Sequence, residues 1–273
     1  MAFVIEHWKG RAHDLGRMSL KDLVKNYFTY PAIVAYLALG VVAAGFAVYT
    51  AKAFWPVALA ALAAVLIYPL IWYLLHRYVL HGRYLYKNRF TAGVWKRIHF
   101  DHHQDPHDLR VLFGALYTTL PTIVAVTLPL GYLIGGSAAA GAALASGLFT
   151  TCVYEFCHCV QHLNFQPKSK FLQRIKRLHL AHHFHNEAGN YGITNFLWDR
   201  VLSTYYASPK EVAKSPTVFN LGYTADEAER YPWVLELSGG ERRDDGPKSI
   251  RPSRRANSGA DGLGGAGASP SGA

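Results

Sequence analysis

The sequence predicts an all-α integral membrane protein, with four transmembrane helices in two hairpins and a helical cap on one side of the bilayer. Three observations carry that reading. Hydrophobic residues make up 51% of the 273-residue chain and charged residues 17%, against roughly 25% charged in an ordinary soluble domain. Four apolar segments, 31–51, 53–75, 111–134 and 138–157, contain no Lys or Arg, and about 20 helical residues are enough to cross the hydrocarbon. The histidines bunch at or beyond the ends of these segments.

The first segment has no His, Asp or Glu and reads as a plain anchor. Pro56, Pro69, Pro121 and Pro129 fall in or at the edges of the apolar runs, which membrane helices tolerate better than soluble ones. The links 51–55 and 135–137 are too short to hold a domain, so the segments pair into two hairpins. Of 28 Lys and Arg residues only Lys52 lies in either link. The positive-inside rule therefore places both termini and the 76–110 stretch in the cytoplasm.

Three regions follow: a basic cytoplasmic leader at 1–30, a membrane-embedded domain at 31–237, and a tail at 238–273. The leader carries Lys9, Arg11, Arg17, Lys21 and Lys25 without the apolar core of a signal peptide. The tail is Gly, Ser, Ala, Pro and Arg with few large apolar residues, and is expected to be disordered. Although the net charge is +10, the basic residues flank apolar runs, which suits anionic lipid headgroups and argues against nucleic acid. Cys152, Cys157 and Cys159 lie within one apolar stretch and imply no disulfide framework.

Ten of the fourteen histidines form four groups: His76 and His81; His99, His102 and His103; His158 and His162; His179, His182 and His183. Their patterns are HxxxxH, HxxHH, HxxxH and HxxHH. Residues three and four apart share a helical face, so three groups can each aim imidazoles at one point. His76 and His81 stand five apart, about 140° around an ideal helix, and need a π-bulge, a frayed end or two different metals. So many gathered imidazoles would lose solvation and repel when protonated unless a cation holds them. Ten ligands exceed what one ion takes, so a cytoplasmic helical cap holding a His-rich di-metal site is expected. Imidazole suits zinc, copper, iron and nickel alike.

Other residues are weaker candidates. His107 and His185 sit near the HxxHH groups as contacts to ligands or substrate, whereas His7 and His13 belong to the leader. Glu155 lies three residues before His158 at the membrane edge. It is expected to accept a hydrogen bond from a ligand imidazole, with direct ligation or a salt bridge as the alternatives.

The order of the four groups resembles the fatty acid hydroxylase and sterol desaturase superfamily of membrane di-metal oxidases, and by spacing its fatty acid 2-hydroxylase branch. The stretch 190–204, with Gly192, Thr194, Trp198, Asp199 and Thr204, is similar to the family's segment after its last histidine group; Ser203 stands where the family usually has Gly. The resemblance covers about 70–204. It implies the ten histidines as metal ligands, two iron ions as cofactor, O2 as co-substrate and a lipid C–H bond as target. Asn190, Gly192, Trp198 and Asp199 would shape the cap over the metals. The family often carries a fused cytochrome b5 domain, and no such segment is visible in 1–30 or after 205. A separate cytochrome b5- or ferredoxin-like electron donor is therefore expected.

The expected activity is hydroxylation of a long-chain fatty acyl group within the membrane, a step of lipid biosynthesis. Oxidising a methylene takes a redox-active metal, which zinc is not, though zinc can occupy such a site after purification. Desaturation, or hydroxylation of a sterol, carotenoid or lipid headgroup, uses the same scaffold. A membrane metal transporter would place polar ligands near the bilayer midplane, and a bis-histidine haem protein would leave most of the ten unused.

Overall fold

The computed structural model describes residues 14–242 and 244. His7, His13, the start of the leader and nearly all of the tail lie outside the described residues. The regular secondary structure among them is helical, apart from an isolated bridge between Asp14 and Asp108.

Helix α1 (Leu20–Tyr27) opens on a capping box in which Ser19 and Asp22 satisfy each other's backbone N–H groups. Its buried Tyr27 packs edge-on against Phe156 at the base of the bundle. Helix α2 (Pro31–Thr50) starts with Pro31 at its first turn, where a missing N–H costs nothing. Helix α3 (Phe54–Leu74) holds Pro69 in its interior and runs on through a π turn at Leu75–Leu80.

Among the described residues, three helical segments are long and apolar enough to cross a membrane: Pro31–Thr50, Phe54–Leu80 and Leu109–His162. The last divides. After the short helix α4 (Arg89–Trp95), a second π turn (Lys96–Phe100) and α5 (Asp101–Gln104), one turn of helix forms as α6 (Leu109–Leu112). The chain then turns extended at Phe113 and Ala115 before α7 (Leu116–His162). The start expected at 111 is thus displaced to 116, because Asp108 caps the separate turn and Phe113 turns inward, fully buried.

Within its 47 residues α7 breaks at Gly135 and Gly136. Gly136 has φ +72°, a conformation open to glycine and unfavourable for other residues. The two arms fold back on each other: a Cβ on Gly131 would stand 2.5 Å from the Ala139 carbonyl oxygen. Small residues are what allow that approach. Helices α2 and α3 pack along this hairpin, while outward residues such as Val48 and Leu133 stay 77% and 85% exposed, as lipid-facing side chains do.

A cap covers one end. It includes α4 and α5, α8 (Lys170–Phe184), α9 (Leu197–Val201), α10 (Ala225–Arg230) and α11 (Trp233–Leu237). Trp95, Tyr86, Tyr223 and Val234 form its own core. The Trp95 indole N–H donates to the Leu80 carbonyl at 2.8 Å, tying the cap to the end of α3.

Candidate metal centre

The histidines meet where the ends of α3 and α7 reach the cap. His76 leaves the π turn after α3, and the widened turn brings His81 to the same side, with ring centroids 4.9 Å apart. Of the alternatives open for that pair, the π-bulge is the one realised. The second π turn carries His99, and α5 carries His102 and His103. His158 and His162 lie one helical turn apart at the end of α7, and α8 presents His179, His182 and His183.

All ten converge, in two sets of five. One set is His76, His81, His99, His103 and His182; the other is His102, His158, His162, His179 and His183. In each set one ring nitrogen per residue lies within 4.8 Å of all the others. Each HxxHH motif is split between the sets. The i and i+4 histidines of the first, His99 and His103, join one set and its middle residue His102 the other. In the second motif His179 and His183 pair and His182 crosses over. The sets adjoin, with the His103 and His183 rings 4.2 Å apart.

The spacing suits metal ions. Nε2 of His81 lies 3.3 Å from that of His76 and 2.8 Å from that of His99. In the other set His102 and His158 are 3.1 Å apart, and His162 and His179 2.9 Å. Imidazoles bound at right angles to one ion, about 2.1 Å away, would stand about 3 Å apart. Buried nitrogens with no protein partner include Nε2 of His103, Nε2 of His182 and both nitrogens of His183. Such orphaned nitrogens, aimed into a shared space, fit a cation.

Main-chain carbonyls set the ring orientations. Nδ1 of His76 donates to Tyr191 O at 2.6 Å, Nδ1 of His182 to Gly189 O at 2.7 Å, and Nδ1 of His103 to Val218 O at 3.0 Å. Each bond fixes the tautomer that leaves Nε2 free to bind metal. Burial holds the cap histidines neutral: it lowers His99, His102, His179, His182 and His183 well below the usual imidazole range, and His103 to about 3. Neutral imidazole is the form that ligates.

The remaining sequence candidates surround this core. The Asp199 carboxylate accepts from Tyr191 N at 2.7 Å, Gly192 N at 2.9 Å and the Thr204 hydroxyl at 2.9 Å, so it fixes the loop whose carbonyl holds His76. Asn190, at φ +55° and fully buried, exchanges hydrogen bonds with the main chain of Tyr206. Gly192 is pressed so close to Asn195 that a Cβ would lie 2.1 Å from its carbonyl oxygen. Ser203 has φ +57°, which explains why glycine suits that position. Trp198 is half-buried on α9. His107 donates from Nδ1 to His162 O at 2.9 Å, while His185 donates to Val212 O at 2.9 Å; neither joins a set of five. Glu155 accepts from the Gly114 N–H at 3.3 Å instead of an imidazole.

Sequence reasoning missed the acceptors Tyr191, Gly189 and Val218, since any residue supplies a carbonyl. The second π turn also left no signal in the spacing of its histidines. A cavity of about 60 Å³ opens onto both sets, walled by Trp72, Leu80, Ile98 and Tyr154. Trp72 and Tyr154 stack there with centroids 5.5 Å apart. A separate apolar groove of about 830 Å³ lies between α2 and the arms of α7.

Apolar helices of spanning length, ending in two adjoining five-histidine sets, define a class: helical membrane proteins built around a paired site able to hold metal. The fatty acid hydroxylase family model matches residues 61–204, and the chain belongs to that family. It is 34% identical over 150 residues to a dihydroceramide fatty acyl 2-hydroxylase of Arabidopsis thaliana, covering 51% of this chain and 57% of that protein. It is 29% identical over 157 residues to the ceramide very long chain fatty acid hydroxylase of Saccharomyces cerevisiae, covering 55% and 38%. Against the fatty acid 2-hydroxylase of Rattus norvegicus the figures are 29% over 141 residues, covering 51% and 37%. The match thus spans between about a third and about three fifths of these relatives' lengths. A solved structure of full-length scs7p, in which only the hydroxylase domain is visible, superposes with a TM-score of 0.58 at 28% identity, covering 69% of each chain.

Proposed function

We propose that this chain is an O2-dependent di-iron hydroxylase that acts on a long-chain fatty acyl group within the membrane. One observation carries the reading: ten imidazoles from four separated stretches gather as two adjoining sets of five at the end of apolar helices. The family match and the names of the relatives support acyl hydroxylation over other outcomes on this scaffold.

His76, His81, His99, His103 and His182 would hold one iron; His102, His158, His162, His179 and His183 would hold the other. When bound, the iron pair supplies the redox chemistry by which O2, two electrons and two protons convert an unactivated C–H bond to C–OH with release of water. The protein's own contribution is orientation and exclusion. Carbonyls of Tyr191, Gly189 and Val218 keep three imidazoles in their binding tautomer. Trp72, Leu80, Ile98 and Tyr154 wall the cavity against water and present an apolar surface to an acyl chain. A cytochrome b5- or ferredoxin-like donor supplies the electrons.

In this reading α7, broken at Gly135 and Gly136, crosses the membrane twice, for four crossings with α2 and α3. The basic segments favour a cytoplasmic position for both termini and the metal centre. Cysteines introduced at Lys52 and Ser137 should both react with an impermeant maleimide from outside the cell, and labelling of only one would break the topology.

Metal analysis joined to lipid profiling tests the function. Cells expressing the protein should contain one oxygenated acyl-lipid class that disappears with His182→Ala. Identical lipid profiles in the two strains would defeat the enzymatic reading.

A further inference from the structure

Three arginines gather where the end of α3 meets the cap, and the metal centre uses none of them. Helix α9 packs against the end of α3, and the Tyr73 and Thr204 hydroxyls tie the two together at 2.9 Å. Arg77, four residues on from Tyr73, donates to the Tyr73 hydroxyl at 2.8 Å and to the Leu202 carbonyl at 3.3 Å. The ring next to Thr204, Tyr205, holds the other two. Arg174 of α8 donates to its hydroxyl at 2.9 Å, and the Arg200 guanidinium lies 4.0 Å from its centroid. Arg174 and Arg200 are exposed and Arg77 is half-buried. Among the described residues none of the three forms an ion pair.

Like charges held together repel, and here aromatic rings and a carbonyl hold them in place of carboxylates. Asp199, beside Arg200 in sequence, is fully buried and engaged by its own three donors. No Asp or Glu occurs between Glu155 and Glu187, whereas Lys168, Lys170, Lys176 and Arg177 add to the positive charge. The acids of the cap sit on other helices, with Asp226, Glu227 and Glu229 on α10 and Glu236 on α11. The level of the cluster indicates which anion it meets. Tyr73 lies toward the end of the apolar segment Phe54–Leu80, and Leu197 and Val201, one turn apart on α9, are both exposed. Tyrosines, arginines and outward aliphatic side chains at the end of a spanning helix suit the headgroup boundary of a bilayer, and the guanidinium fork matches phosphate. We propose that Arg77, Arg174 and Arg200 bind the phosphate of an anionic phospholipid, on the face of the bilayer that carries the metal centre. Helix α8 also presents His179, His182 and His183, so a lipid bridging α8, α9 and the end of α3 clamps the cap over the histidines. The inference rests on the membrane-spanning reading of α3 and not on the reaction.

The test uses the full chain in nanodiscs of phosphatidylcholine alone or mixed in equal parts with phosphatidylglycerol. Native mass spectrometry of retained lipid reads the site, and thermal melting reads the clamp. The wild type should retain phosphatidylglycerol in preference to phosphatidylcholine and melt higher in the mixed nanodiscs. Each arginine near the surface is worth about fivefold in affinity, so Arg174→Gln/Arg200→Gln should lose about 25-fold of that preference. It should also lose the gain in melting temperature, with metal content in phosphatidylcholine unchanged. Arg174→Lys/Arg200→Lys, which keeps the charge, should retain more of both and serves if the Gln pair does not fold. Arg89→Gln/Arg230→Gln removes the same charge from exposed positions on α4 and α10 and should behave as wild type. Equal losses in the two Gln pairs, or no lipid preference in the wild type, would overturn the proposal. So would an unchanged lipid preference joined to slower reduction by an acidic electron-carrier protein, which would assign the patch to that partner. Because retained lipid is read apart from lipid oxidation, failure here leaves the hydroxylase reading standing.

Discussion

Nδ1 of His76 donates to the backbone carbonyl of Tyr191 at 2.6 Å, across 115 residues of sequence. That bond depends in turn on Asp199, whose carboxylate gathers the Tyr191 and Gly192 N–H groups and the Thr204 hydroxyl. A carboxylate that never touches the metal site thus fixes one of its imidazoles.

Asp199→Ala should therefore loosen metal binding by roughly 10- to 100-fold. It leaves three donors without their acceptor, each costing about 1–3 kcal/mol when buried. Chelator titration of the purified variant checks this, and the set containing His76 should empty first. Asp199→Asn, which keeps one acceptor oxygen, should fall between.

Ser203→Gly should stabilise the protein by about 1 kcal/mol, because φ +57° at Ser203 strains any residue with a Cβ. A thermal-melt comparison at fixed detergent and metal loading reads the gain, with metal content unchanged.

Gly131→Val should lower the folded yield sharply. Its Cβ would meet the Ala139 carbonyl oxygen at 2.5 Å and Ala140 Cα at 2.6 Å, so the arms of α7 cannot close. Gly45→Ala has nothing within 4 Å of the added carbon and should match wild type in size-exclusion profile and yield.

Acidification should release metal and destabilise the fold together. Burial lowers the cap histidines, His182 well below the usual range and His103 to about 3, whereas the same side chains in the unfolded chain titrate near 6.5. Between those values the unfolded chain binds more protons, so stability rises with pH. The contribution is complete above about 6.5 and declines as pH falls toward about 3. Melting temperature and metal content followed from about pH 8 down to about pH 4.5 should be flat at first and then fall in parallel.

The apolar runs and the histidine spacing made much of this legible in sequence. Helix α2 matches its expected segment within one residue, 31–50 against 31–51, because composition alone sets where a spanning helix ends. The ten histidines were legible as a group for the same reason: helical spacing forces neighbours together. Their division was not. His102 and His103 are adjacent in sequence yet join opposite sets, since consecutive helical residues point about 100° apart and only the packing of α5 between α7 and the π turn after α3 decides which way each faces. Glu155 was legible as a carboxyl at the membrane edge, but its contact with Gly114 in place of an imidazole depends on the extended stretch before α7, which hydropathy reads as part of the span.

The most direct test of the paired centre counts metal in two double variants. His99→Ala/His103→Ala removes ligands from one set and His158→Ala/His162→Ala from the other. The account predicts two metal ions per wild-type chain and one in each variant. A single ion in the wild type, or loss of all metal in both variants, would contradict it.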